Sequence, residues 1–107
     1  MNKIEVLKIL QLGDTVLYVL KNREIRPLIV TRIDPVSASI NGTLLFDGQN
    51  DAERLDTELR NDQLRTGTLW IVDVPYNEVP TGLGASTVFV PGTWHLPARM
   101  AAAAGRT

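Results

Sequence analysis

Apolar positions along the chain change period several times, and each change marks an element. Over residues 3–12, Ile4, Leu7 and either Val6 or Leu10 fall at helical spacing, with Asn2 placed to cap the start, Glu5 three residues on and Gly13 as a stop. That pattern predicts a short leading helix, although its β-branched content also suits a strand. From Asp14 the pattern turns to strand formers: Thr15-Val16-Leu17-Tyr18-Val19-Leu20, a polar turn at Lys21-Asn22-Arg23-Glu24, and a returning strand over 26–33. Pro27 is tolerated there only near the strand's start or on an edge, because it has no N–H to give to a ladder. Asp34-Pro35 ends that strand.

Ser39 to Phe46 reads as a third strand with Asn41-Gly42 inside it. A hairpin turn at this pair would leave only about four residues before it, short against the usual five or six, so a bulge or kink is the favoured reading. Asp47 to Asp51 is then a turn, with Asn50 and Asp51 able to cap the next helix. Residues 51–65 are the most polar stretch. Leu55 and Leu59 are four apart, acidic residues come early and Arg60 and Arg65 late, and Arg54 can pair with Glu58, which predicts a peripheral surface helix. Gly67 to Val74 is a fourth strand expected to cross the core, residues 77–87 an exposed loop, and residues 87–90 a last short strand.

Four or five short strands joined by tight turns predict a mainly β fold. The expected form is a small, SH3-like, partly open barrel or roll with a leading helix and an inserted helix. A chain of 107 residues suffices for one such domain, here 1–99, with 100–107 as a flexible tail.

Composition narrows the function by exclusion. The formal net charge of −1 and interspersed charges leave no broad positive field for nucleic-acid phosphates, so bulk nucleic-acid binding is not expected. Without cysteine there is no thiolate nucleophile, no disulfide framework and no cysteine-held metal, and a reducing cytoplasm is the natural compartment. The N-terminal residues do not read as a secretory signal, and no apolar run approaches a membrane span. Ser37, Ser39 and Ser86 sit in no nucleophile signature, and His95 is the single histidine, so the chain is read as non-enzymatic. Asp47 and Asp51 lack the further carboxylates of a calcium loop, and Gly82-Leu83-Gly84 lacks the strand and helix that give a phosphate loop meaning. No cofactor and no metal are expected.

One segment stands out: Pro91-Gly92-Thr93-Trp94-His95-Leu96-Pro97 sets an indole and the imidazole between two prolines. In one reading Trp94 plugs the open end of the barrel while His95 bonds a carbonyl. In the other it is a binding wall, with Trp94 or Trp70 stacking on a flat base, His95 with Arg26 or Arg32 meeting phosphate, and Asn50 or Asp51 contacting a ribose hydroxyl or base edge. The two readings are compatible. The candidate ligand-binding residues are Trp94, His95, Trp70, Arg26, Asn50 and Asp51.

Taken in order, Gly13-Asp14-Thr15-Val16, Arg26-Pro27 with Val30, Asp47-Gly48-x-Asn50-Asp51, Gly67-x-Leu69-Trp70 with Val74-Pro75-Tyr76, and Pro91-Gly92-Thr93-Trp94-His95 resemble a family of small uncharacterised tailed-bacteriophage and prophage proteins. The chain departs from that pattern by its leading segment, by insertions near 52–65 and 79–90, and by Leu96 where the family usually has a second Trp. The resemblance implies a phage origin and a β-rich small barrel, and brings no activity. Three functions are then open. The first is an oligomeric binding protein in the host cytoplasm that sequesters a nucleotide-like defence signal. The second is a virion part contacting capsid subunits. The third is an inhibitor of a host defence protein, acting through the acidic 51–65 segment, whose five acidic and three basic residues leave a net of −2.

Overall fold

The computed structural model describes residues 2–48, 50–55, 58–77 and 89–100. Helix α1 (Lys3–Ile9) is capped as its sequence suggests, Asn2 Oδ1 accepting from the Glu5 amide at 2.9 Å. It ends earlier than the expected residue 12, because Leu10 is already extended and turns its side chain into the core beside Val6. Four longer strands come next: β1 (Thr15–Val19), β2 (Ile25–Ile33), β3 (Ile40–Leu45) and β4 (Thr68–Val74). A two-residue strand β5 (Trp94–His95) completes a five-stranded antiparallel sheet in the order β4-β3-β2-β1-β5.

The mainly β fold therefore stands, and the sheet is not closed. Among the described residues its two ends are linked by a single parallel bridge between Tyr76 and Trp94, where the Trp94 amide donates to the Pro75 carbonyl at 3.0 Å and the Asn77 amide to the Trp94 carbonyl at 2.9 Å. The core fills the concave side. Val16, Leu28, Val30, Ile40 and Leu44 face inward from the strands, and Val6, Leu20, Phe46, Val74, Trp94 and Leu96 close around them.

Pro27 lies well inside β2, a central strand, yet its position obeys the edge rule. Pairing with β3 begins only at Leu28, so Pro27 faces β1 alone, opposite Leu17. At Asn41-Gly42 the expected irregularity exists but sits in the neighbours. β3 runs straight through, while β2 carries an extra residue between Val30 and Arg32 and β4 one between Ile71 and Val74. Gly42 makes this possible, since a Cβ there would strike the Ile29 carbonyl oxygen. At the β4 bulge Asp73 adopts a left-handed φ of 54°, and its amide donates to Asn41 Oδ1 at 2.9 Å.

Four expectations need correction. The 51–65 helix is not continuous: a 3₁₀ turn at Ala52–Arg54 and a short helix α2 (Asn61–Thr66) are separate elements, with residues 58–60 irregular before α2 and residues 56 and 57 outside the described residues. Asp, Asn and Thr are poor helix formers, and Leu55 and Leu59 each reach the core from separate segments instead of sharing one stripe. Among the described residues there is therefore no unbroken helical acidic face of the kind the inhibitor expectation used. Gly67 is the left-handed cap of α2 (φ 67°), not the first residue of β4. Finally, β4 does not cross the core but forms one end of the sheet, and the last strand is β5, not residues 87–90. Of those, 87 and 88 lie outside the described residues and Phe89 and Val90 are irregular. The tail expectation falls largely on 101–107, also outside the described residues.

Candidate functional site

The six residues singled out in the sequence do not form one pocket. Arg26 and Asp51 meet, and they meet each other. Arg26 Nε reaches Asp51 Oδ2 and Arg26 Nη2 reaches Asp51 Oδ1, both at 2.7 Å, a bidentate fork. Nη2 also holds Glu24 Oε2 at 2.7 Å, and Nη1 donates to the Ile25 carbonyl at 2.8 Å, so every guanidinium nitrogen is engaged. Asp51 is fully buried and further accepts from the Asp47 amide at 2.9 Å. Arg54 Nη1 closes the cluster, 3.1 Å from Glu24 and 3.5 Å from Asp51.

Hydrogen bonding from Arg26 holds the Asp51 carboxyl below the usual carboxylate range and outweighs burial, which acts the other way. Arg26 in turn lies above its ordinary value because of Asp51. This cluster ties the 47–54 segment to the β1–β2 hairpin. Its role is structural: Asp51 does not cap the 3₁₀ turn with its side chain, Arg54 turns to Glu24 rather than Glu58, and four of the five Arg26 N–H groups are spent within the cluster and on the Ile25 carbonyl.

Asn50 stays at the same turn, its Nδ2 donating to Asp47 Oδ2 at 2.7 Å. With Asp47, Arg65 and Thr66 it borders an open depression of about 440 Å³ beside α2. Arg32 lies elsewhere, lining a polar cavity of about 120 Å³ with Asp34, Ser39, Asn41 and Asp73 next to the two bulges.

Trp94 is the plug. Its indole is fully buried, Nε1 donates to the Ala38 carbonyl at 3.0 Å, and its ring lies 4.7 Å from that of Tyr76. No face is left for a base to stack on. His95 is 6% exposed and stacks on Phe89 with ring centroids 4.8 Å apart. Burial lowers its pKa and keeps the imidazole neutral, and its Nδ1 makes no hydrogen bond among the described residues. Trp70 is on β4, at the far end of the strand order, and 64% exposed.

The two segments that attracted attention in the sequence do converge, at other residues. Pro91 and Gly92 approach Arg54 and Leu55 across Tyr18 and Lys21, enclosing a cavity of about 210 Å³. Backbone bonds fix both walls: the Gly92 amide donates to the Val19 carbonyl at 2.9 Å and the Lys21 amide to the Arg54 carbonyl at 3.1 Å. Two cations and a phenol line this cavity, and among the described residues no carboxylate does. Burial raises the pKa of Tyr18, so the phenol keeps its proton and can donate it to an anion. Pockets for drug-sized ligands run to roughly 300–1,000 Å³, so this one suits a single charged group and its point of attachment. Tyr18, Lys21, Arg54 and Leu55 were not legible as site residues, because nothing local says that residue 54 will meet residue 91.

Among the described residues no three His, Asp or Glu side chains are grouped to hold a metal ion, and no helix is long and apolar enough to cross a membrane. The chain matches no protein-family profile, no curated protein and no solved structure.

Proposed function

We propose that this chain is a non-enzymatic binding protein of a tailed phage or prophage that sequesters a small phosphorylated signal of nucleotide type in the host cytoplasm. The phosphoryl group sits between Arg54, Lys21 and the Tyr18 hydroxyl, against the stiff Pro91-Gly92 wall. The observation that carries this reading is the convergence of two cations and a neutral phenol on one cavity lined by no acid among the described residues.

Calorimetry with cyclic dinucleotides and ADP-ribose derivatives, together with native mass spectrometry of the purified protein, tests it. Binding of at least one phosphorylated compound is expected, weakened by Lys21→Gln and by Arg54→Gln in proteins whose melting shows them folded. No heat and no retained nucleotide across the panel contradict it. A second reading, a virion part, is favoured by the exposed Trp70 and Val72 on β4. Stoichiometric amounts of the chain in purified virions would decide for it.

A further inference from the structure

Strand β4 ends the sheet, and among the described residues no strand pairs with its outer side. Exposed strand edges invite pairing with another chain, and proteins ordinarily guard them with charges, prolines or bulges. Here the guards stand only at the strand's last residues and just beyond, in the bulge that holds Asp73 and at Pro75. The stretch Thr68-Leu69-Trp70-Ile71-Val72 between them and α2 carries no charge and consists mostly of strand-forming residues.

Its side chains divide cleanly. Leu69 and Ile71 pack against the core, whereas Trp70 and Val72 point outward and are 64% and 49% exposed. A large exposed aromatic on an unguarded edge is the composition of a contact centre and not of a solvated surface.

Charge says what fits there. The stretch is flanked by Arg65, in the last turn of α2, and by Asp73. Both are exposed, and neither the Arg65 guanidinium nor the Asp73 carboxylate has a side-chain partner among the described residues. When a strand pairs antiparallel with an identical strand, the first end of each copy meets the last end of the other. The Arg65 end of one copy then lies at the Asp73 end of its partner, twice, by symmetry. No like charges meet along the seam.

We infer that two copies of this chain associate about a two-fold axis by antiparallel pairing of their β4 edges, with Trp70 at the centre and Arg65 of each copy against Asp73 of the other. Centring the pair on residues 69–71 puts both indoles on the same face of the joined sheet, either directly opposite or diagonal at about 7–8 Å, a reach that aromatic rings span. The contact is self-complementary and closes at two, so it produces a dimer of ten-stranded sheet rather than a filament. It is independent of the ligand proposed above, since the Tyr18–Arg54 cavity is lined by no β4 residue.

Sedimentation equilibrium of the full chain without ligand, over a range of concentrations, tests this. The unmodified protein is expected to be dimeric. Trp70→Lys, at an exposed position and checked for folding by its melting, should weaken the dimer by about thirtyfold or more, the cost of losing a central aromatic anchor. Arg65→Glu, which sets two acids against each other at both ends of the seam, should weaken it roughly tenfold. A protein that is monomeric at every soluble concentration overturns the inference. So does a dimer that Trp70→Lys and Arg65→Glu leave intact, which would place the contact elsewhere.

Discussion

At β5 the Trp94 indole is fully buried, its N–H is spent on the Ala38 carbonyl and its ring rests near Tyr76, whereas on β4 the Trp70 indole projects 64% exposed from an unpaired edge. The regions around them differ in the same way. Near β5 the sheet's ends are drawn together, and the neighbouring 47–54 segment is fastened by a bidentate Arg26–Asp51 pair with its carboxylate out of water. Around β4 the outward side chains stand exposed, and the flanking charges are without side-chain partners among the described residues. One tryptophan belongs to the stability of the monomer and the other to its surface, so a residue's size says how much energy is at stake but not where it is realised.

Breaking the buried side should be costly. Trp94→Ala removes the largest fully buried side chain and is expected to cost about 3–5 kcal/mol in a denaturant titration. Trp70→Ala in the same assay, at concentrations where the chain is monomeric, should stay within about 0.5 kcal/mol. If the two losses were similar, the contrast between the regions would be wrong.

Asp51→Ala comes next, at about 3 kcal/mol, because it strands a guanidinium organised around that carboxylate. The pair also carries a pH signature. Since the folded carboxyl titrates below its ordinary value, its contribution is present above the unfolded pKa near 3.8 and is lost as pH falls through the folded one. The acid limb of a stability profile should therefore shrink in Asp51→Ala.

The smallest effect sharpens the description of β5. His95 is neutral in its buried place, and burial lowers its pKa below the ordinary 6.5. The unfolded chain then binds a proton the folded chain refuses, so stability declines as pH falls past 6.5 and levels off below the folded value. His95→Phe keeps a ring against Phe89 but removes the unbonded Nδ1. It should gain about 1 kcal/mol at neutral pH and flatten the decline that sets in as pH falls past 6.5. An unchanged slope there would mean that His95 finds an acceptor on protonation.

Much of the sheet could be read from the sequence because it is written locally. Runs of strand-forming residues mark β1 to β4, Asn2 caps α1, and the polar run 21–24 turns the first hairpin. The features that escaped depend on distance along the chain. The inserted 51–65 segment looks helical by spacing and dipole, but Leu55 and Leu59 are claimed by the core from separate segments. The bulges belong to β2 and β4 although the glycine that permits them is in β3, so the sequence marks the level of the irregularity and not its strand.

At the site, the Pro91–Pro97 segment was open to two readings from the sequence, a plug and a binding wall, and the buried Trp94 indole fits the plug. The residues that looked fit for a ligand, Trp94, Arg26 and Asp51, are those the fold consumes, because strong donors and large rings are also what a small core needs most. Trp70 was a stacking candidate on a strand expected to cross the core, and only the strand order reveals that this strand stands at an edge.

The contrast between the two indoles can be measured directly, because the chain has only two tryptophans. In Trp70→Phe the remaining emission comes from Trp94 alone, and acrylamide quenching of that protein against the unmodified one separates the two rings. The account predicts that the fluorescence left in Trp70→Phe is blue-shifted and barely quenched, and that the readily quenched component of the unmodified protein disappears with Trp70. Red-shifted, freely quenched emission from folded Trp70→Phe would contradict it, since Trp94 would then be a solvent-facing ring and not the plug of the sheet.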